Sequence, residues 1–516
     1  MIEPKPRPTL DPELAALVQP LDEHNRNLLD NVHPSDWVDP EPAERYHLVV
    51  IGAGTAGLVS AAGAAGLGAR VALIERRLLG GDCLNYGCVP SKGVIRAARA
   101  WNEARIGRET FGSPPVAGAG DFGRAMARMR RLRASISRLD SARRFRDLGV
   151  DVFIGDGHFV ASDALDVNGK RLRFRRAIIA TGARPTAPPI PGLAEAGYLT
   201  NETVFNLTEL PRRLAVIGAG PIGCELSQTF ARFGSVVYLI EALHGVLPAE
   251  DRDAAEVLEG AIVRDGVKLF CCGKSTKVET TPDGKRFTLE SHEHSYDLTV
   301  DEILVSAGRA ANVENMGLEA AGVEFTRLGV TVDDRLRTSN KRIYAVGDVA
   351  SKYKFTHTAD ALARIAIQNA LFFGRAKASD LVVPWCTYTS PEIAHVGMYE
   401  QDARERGYEV ETLTLPLADV DRAVLDGADE GFLRLHVQKG KDRILGATLV
   451  AEHAGELLAE LCLAVTHRVG LEKIAKTIHP YPTQTEAIKK AADTWRRGKL
   501  TPLVKKVFAL FFRVFR

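Results

Sequence analysis

Two stretches of this chain follow one plan. "YHLVVIGAGTAGLVSAAGAAGLGARVALIE" runs from Tyr46 to Glu75, and "RRLAVIGAGPIGCELSQTFARFGSVVYLIE" from Arg212 to Glu241. Each reads as an apolar strand, a glycine turn, a helix, and a second strand closed by an acid. The glycines are Gly52, Gly54 and Gly57 in the first stretch and Gly218, Gly220 and Gly223 in the second. In both, 23 residues separate the first glycine from the acid. The first glycine permits the tight turn, the second lets the backbone approach a pyrophosphate, and the third lets helix and strand pack closely. The helix N-terminus then faces the phosphates. Glu75 and Glu241 are placed to accept hydrogen bonds from ribose hydroxyls. One such motif is a weak signal. Two in register predict an α/β chain with two Rossmann-like domains that bind two dinucleotides. A flavin and a nicotinamide are the expected pair, because together they make a redox relay.

Composition narrows the setting. The chain has 516 residues, enough for about three or four domains. A net charge of +2 gives no pull toward nucleic acid or membrane as a whole. Seven cysteines at this length are unlike a secreted disulfide scaffold. The first 25 residues lack the basic start and apolar core of a signal peptide. The expected compartment is cytoplasmic, where a standing structural disulfide is disfavoured.

Two of the cysteines, Cys83 and Cys88, lie in "GGDCLNYGCVPSK" (Gly80–Lys92), five residues beyond Glu75. The C-x4-C spacing is open to zinc, but no second ligand pair is nearby. A redox pair fits better. "CVPSKGVIRAARAW" reads as a helix beginning near Cys88 with Pro90 in its first turn. The helix dipole and Lys92 both favour a thiolate there. A redox pair belongs against the flavin, so the first glycine site is expected to hold FAD and the second the nicotinamide. Glu241 would repel a 2′-phosphate, so NADH is expected over NADPH.

"GGDCLNYGCVPSK" resembles the redox-active disulfide motif of the class I pyridine nucleotide-disulfide oxidoreductases, a family that includes dihydrolipoyl dehydrogenase, glutathione reductase and mercuric reductase. The resemblance extends from Tyr46 to Asp493. "AIIATGARP" (Ala177–Pro185) resembles the exit from the FAD domain, with Thr181 and Gly182 near the cofactor. "LVSAGRAAN" (Leu304–Asn312), with Gly308, resembles the return from the NAD(P) domain. "KRIYAVGDV" (Lys341–Val349) resembles the second FAD motif, whose aspartate, here Asp348, bonds the ribityl chain. "PWCTYTSPEIAHVG" (Pro384–Gly397) resembles the start of the dimer-interface domain. The resemblance implies that Cys88 faces the flavin and Cys83 attacks substrate. It places Gly81 at the FAD, and Lys92 near the flavin N5, paired with Glu225 as a buried positive charge. The alternative for Glu225 is a helix-surface carboxylate.

One departure bears on the acceptor. Disulfide reductases of the family place a histidine from the partner subunit directly before P-T-x-x-E, and it protonates the leaving thiol. Here the stretch is "HPYPTQTE": Tyr481 holds that position, Glu486 holds the acid position, and His479 lies two residues early. A phenol, with a pKa near ~10, is a poor proton shuttle at neutral pH. Mercuric reductase is similar in having tyrosine there. The expected enzyme is therefore mercuric reductase-like, passing electrons to a metal ion or small electrophile. The alternatives are dihydrolipoyl dehydrogenase or another disulfide reductase and, in a different class, a flavoprotein redox sensor tethered at a membrane. The vicinal pair Cys271–Cys272 reads as part of a strand, where neighbouring side chains point to opposite faces and pack. Cys224, Cys386 and Cys462 read as apolar packing.

The predicted organisation is an extension over 1–45, an FAD domain over 46–200, an NAD(P) domain over 201–305, a return to the FAD domain over 306–380, a dimerisation domain over 381–495, and a basic amphipathic tail over 496–516. The extension is expected to pack on the surface or on a partner subunit, and the chain to form a homodimer. The arginine-rich stretch 123–149 reads as one long helix with a solvated or dimer-facing surface, not a nucleic-acid site. In the tail, Lys505, Lys506, Arg513 and Arg516 oppose Phe508, Phe511, Phe512 and Phe515. Leu503 to Arg516 is too short to span a bilayer. Burial against the dimer is preferred there over contact with a membrane surface.

Overall fold

The computed structural model describes residues 12–114, 118 and 120–515. Tyr46–Ile51 is buried at every position except His47, as suits a strand covered on both faces. It lies between the parallel strands Val71–Glu75 and Lys170–Ile179. Val150–Ile154 extends the sheet on one side. On the other, Ile343–Ala345 pairs with Lys170–Ile179, bringing a segment nearly 300 residues from Tyr46 into the same sheet. The helix Thr55–Gly66 follows the first glycine turn.

The second copy folds the same way. Arg213–Ile217 sits between Val236–Ile240 and Glu302–Val305, with Lys268–Phe270 at the edge, all parallel. The helix Pro221–Phe233 follows its glycine turn. The third glycine of each triplet is forced by space. A Cβ on Gly57 would lie 1.7 Å from the Gly52 carbonyl oxygen, and one on Gly223 would lie 1.9 Å from that of Gly218. The chain ends in a five-stranded antiparallel sheet, from Trp385–Thr387 to Ile444–Ala451, with helices packed against it.

The extension packs on its own chain. Leu28 and Val32 are fully buried in the core under the first sheet. Each such side chain contributes roughly 2 kcal/mol. Residues 1–11 lie outside the described residues.

Three expectations need correction. The arginine-rich stretch is broken into Phe122–Ile136, the short turn Ser137–Asp140 and Ala142–Asp147, because Ser141 caps a new start by accepting from the Arg144 N–H. Its surface is not simply solvated. Arg130 pairs with Asp22 at 2.6 Å, and the buried Arg133 donates to Asn25 and to the Asn85 carbonyl, both at 2.7 Å. The strand before Cys271–Cys272 ends at Phe270, and both cysteines lie in a turn. Cys272 has φ of +54°, which breaks strand alternation.

The tail helix Pro502–Val514 buries none of its residues against this chain. Arg516 lies outside the described residues. Among the described residues no helix is long and apolar enough to cross a membrane.

Candidate active site

A cavity of about 450 Å3 lies where the two nucleotide-binding units meet. That is within the usual range for a small-molecule or cofactor site. Its walls bring together Gly52, Gly54, Glu75, Gly81, Cys83, Cys88, Lys92, Thr181, Gly182, Glu225 and Asp348. These come from segments more than 260 residues apart in the chain.

The first glycine turn is built for a phosphate. Gly52 has φ of +96°, and a Cβ there would meet the Ala180 carbonyl oxygen at 2.5 Å. Gly54 opens the helix Thr55–Gly66 without any side-chain cap, so the first-turn N–H groups remain open to an anion. Gly81 lies directly against it: a Cβ on Gly81 would be 2.6 Å from the Gly54 Cα. The cysteine segment is thereby pressed onto the glycine turn. Glu75 accepts from the N–H of Ala53 at 2.7 Å and of Arg77 at 2.8 Å. Burial pushes its carboxyl up, and these two backbone donors oppose the rise.

The second turn repeats the arrangement. Glu241 accepts from the Ala219 N–H at 2.7 Å and the Leu243 N–H at 3.0 Å. Gly220 opens the helix Pro221–Phe233, again without a side-chain cap. Pro221, Ile222 and Glu225 of that helix face the shared cavity. Gly308 is not in the cavity wall; it has φ of +140° and lies against Thr186.

The crossover segments meet side by side. The Thr181 hydroxyl donates to the Asn312 carbonyl at 2.8 Å, and Ala183–Pro185 pairs antiparallel with Arg309–Ala311. Arg309 then reaches Asp82 at 2.9 Å and Asp348 at 3.8 Å. Burial pushes the Asp348 carboxyl up, against the pull of Arg309.

The cysteine pair is polarised. Cys88 is the first residue of the 24-residue helix Cys88–Phe111. Its thiol is lowered to about 6, chiefly by the hydrogen bond from Cys83, with help from Thr356 and Lys92. The Cys83 thiol is raised, first because it shares its proton with Cys88 and then by burial. In the dithiol state Cys88 is therefore the thiolate and Cys83 the thiol. The Thr356 hydroxyl lies 3.5 Å from the Cys88 sulfur. Lys92 binds Glu225 at 2.8 Å. Glu225 is buried, which rules out the helix-surface reading, and its other oxygen accepts from the Tyr388 N–H at 2.9 Å. Lys92 itself is not buried in the chain: its side chain is 36% exposed, facing the cavity, with its ammonium 4.5 Å from the Tyr388 ring centroid. Cys386, expected as packing, also lines the cavity. Burial pushes its thiol up, which keeps it protonated.

Thr356, Tyr388 and Arg309 were not among the residues singled out by the sequence. Tyr388 and Arg309 lie inside the stretches that carry the resemblance, while nothing in the sequence marks Thr356. The structure does not bring Tyr481, His479 or Glu486 into the cavity of the same chain. The Tyr481 hydroxyl donates to Asp421 at 2.9 Å, and that bond raises its pKa. His479 contacts Glu460 at 3.0 Å, and Glu486 lies 3.6 Å from Lys490.

The wall fits FAD. It offers an uncapped helix N-terminus where two backbones touch, a half-buried carboxylate at Glu75, and a second one, Asp348, whose ion-pair partner among the described residues is Arg309 at 3.8 Å.

Residues 46–363 match the family model for pyridine nucleotide-disulphide oxidoreductases, and residues 383–492 match that family's dimerisation domain. A mercuric reductase from Bacillus cereus is 36% identical over 460 residues, covering 87% of this chain and 71% of its own. A dihydrolipoyl dehydrogenase from Thermus scotoductus is 34% identical over 461 residues, covering 87% and 97%. Among solved structures, the HOCl-induced flavoprotein disulfide reductase RclA from Escherichia coli superposes with a TM-score of 0.77 at 29% identity, over 87% of this chain and 99% of that one.

Proposed function

The chain belongs to the pyridine nucleotide-disulphide oxidoreductase family, and from that premise we propose that it is an FAD-dependent NADH oxidoreductase whose Cys83–Cys88 pair passes electrons to a metal ion or small electrophile, as in a mercuric reductase. One observation carries the reading. A thiolate-forming Cys88, a protonated Cys83 and the Lys92–Glu225 pair line one cavity between two nucleotide-binding turns.

FAD bound at the first turn supplies hydride acceptance from the nicotinamide and two-electron reduction of the disulfide. The chain's own residues do the rest. Gly52, Gly54 and the helix N-terminus behind them hold the pyrophosphate. Glu75 and Asp348 would accept hydrogen bonds from the hydroxyls of the sugar and ribityl parts, and Thr181 and Gly182 would form the neighbouring wall. Lys92, fixed by Glu225, would hold a positive charge that favours the reduced, anionic form of a bound flavin. Gly218, Gly220, Gly223 and Glu241 hold the dinucleotide NADH, with Gly308 at the domain return. Cys88 retains the thiolate beside the flavin. Cys83 would release its proton to solvent as its sulfur forms the bond to the acceptor. The dimerisation domain supports a homodimer, in which Tyr481, His479 and Glu486 of one subunit serve the cavity of the other.

The acceptor follows from Tyr481. A phenol held by Asp421, with a raised pKa, is a poor donor of protons to a leaving thiol. A metal thiolate asks for a ligand at that position instead. Anaerobic NADH oxidation by the FAD-loaded enzyme, measured with Hg2+, oxidised lipoamide and glutathione disulfide, tests the assignment. Turnover with Hg2+ above both disulfides supports it. Faster turnover with lipoamide would move the assignment to dihydrolipoyl dehydrogenase, and no turnover with any acceptor would favour a sensor.

A further inference from the structure

Outside the cavity, three segments of the second nucleotide-binding domain converge on another group of soft ligands. His244 lies in the loop after Val236–Ile240, and Cys271–Cys272 lie in the turn after Lys268–Phe270. The Nδ1 or Nε2 of His244 and the sulfurs of Cys271 and Cys272 all lie within 4.8 Å of one another. Cys272 Sγ is 3.7 Å from His244 Nδ1, near the edge of about 3.5 Å expected between sulfur and nitrogen ligands of a tetrahedral ion. His292 Nε2, outside that group of three, is 3.2 Å from Cys271 Sγ. His292 sits in the tight turn between Gly284–Ser291 and His294–Val300, with φ of +49°.

The scaffold holds these segments together without the side chains. The Cys272 N–H donates to the Leu243 carbonyl at 2.9 Å, the Gly273 N–H to the Glu241 carbonyl at 2.8 Å, and the Ser291 hydroxyl to the Cys271 carbonyl at 2.6 Å. The left-handed Cys272 turns the two sulfurs toward the same side, which a continuing strand would not allow. Cys271 is half-buried and Cys272 exposed, so an ion has access from solvent.

We propose that Cys271, Cys272 and His244 bind a thiophilic cation such as Zn2+, Cd2+ or Cu+, with the fourth position open to solvent. Two thiols release their protons to solvent as two metal–sulfur bonds form, and the His244 imidazole and solvent complete the site with no change of oxidation state. The site is coupled to the dinucleotide. His244 follows Leu243, whose N–H orients the Glu241 carboxylate, and the cysteine turn is bonded to the Glu241 and Leu243 carbonyls. Fixing His244 on a metal therefore restricts the loop that meets the dinucleotide. The coupling rests on the assignment of Glu241 to NADH; the metal site does not.

The test uses the reduced, metal-free, full-length protein and two variants, Cys271→Ser/Cys272→Ser and His244→Ala. Cd2+ bound per chain is measured by equilibrium dialysis, and NAD+ affinity is measured calorimetrically with and without Cd2+. The wild type should hold one Cd2+ more per chain than the double variant. His244→Ala should weaken that ion by about tenfold or more. Cd2+ should weaken NAD+ binding about fivefold or more in the wild type alone. Unchanged FAD content and thermal unfolding without metal in both variants show that they fold. Equal Cd2+ stoichiometry and affinity in all three proteins would overturn the site. An extra Cd2+ without any effect on NAD+ would overturn the coupling.

Discussion

Lys92 and Glu225, 133 residues apart and on helices of different nucleotide-binding units, meet at 2.8 Å between Nζ and Oε2. The contact joins the cysteine helix to the helix behind the second glycine turn. Glu225 is buried and its second oxygen accepts from the Tyr388 N–H; among the described residues Lys92 is its ion-pair partner. Lys92→Ala leaves that carboxylate unpaired. The expected cost is about 1–3 kcal/mol, below the range for a fully buried pair because Lys92 is open to the cavity. Thermal unfolding of the FAD-loaded variant checks it. Glu225→Gln keeps the shape and should retain more stability than Lys92→Ala, yet still slow flavin reduction by NADH.

The cysteine pair gives a pH signature. Cys88 is lowered to about 6, so its thiolate forms above that pH and is lost as pH falls through it. Cys83 is raised and stays protonated at neutral pH. Iodoacetamide labelling of the reduced protein, read by mass spectrometry, should modify Cys88 with a midpoint near 6 and Cys83 only at far higher pH. Lys92→Ala should move the Cys88 midpoint upward, because a positive charge that favours the thiolate is gone.

Cys83→Ala separates the thiol route from the flavin. The variant should lose turnover with a metal-ion acceptor by about a hundredfold or more, since the attacking sulfur is absent. It should keep direct reduction of a quinone, which needs no thiol. Equal loss with both acceptors would mean that the substitution damages the flavin site.

Glu241 predicts the choice of dinucleotide. Its carboxylate is fixed by two backbone N–H donors, and on the proposed assignment it would face the ribose, where a 2′-phosphate would meet like charge. NADH should show a KM about tenfold or more below that of NADPH, and Glu241→Gln should narrow the gap. A KM for NADPH far below that for NADH would contradict the assignment.

The features legible in the sequence are those where residue type alone enforces geometry. Gly57 and Gly223 admit no side chain beneath a carbonyl oxygen, and Gly52 and Gly218 have positive φ. Two glycine triplets with matching acids could be read directly, and Cys88 at a helix start could be read from Pro90 and Lys92. Other features depend on distant partners. Arg130 and Arg133 look solvated until Asp22 and Asn25 arrive from more than a hundred residues away. Cys271–Cys272 look like strand because nothing in a cysteine announces a left-handed backbone. Thr356 reaches Cys88 from 268 residues downstream without any motif of its own.

The most direct test of the account is an anaerobic titration of the FAD-loaded protein with NADH, following the flavin spectrum. A long-wavelength thiolate-to-flavin band is expected, complete at two electrons per subunit, fading below pH of about 6 as Cys88 takes up a proton, and absent in Cys88→Ser. Simple bleaching of the flavin with no such band would contradict it and remove the Cys83–Cys88 pair from the electron path.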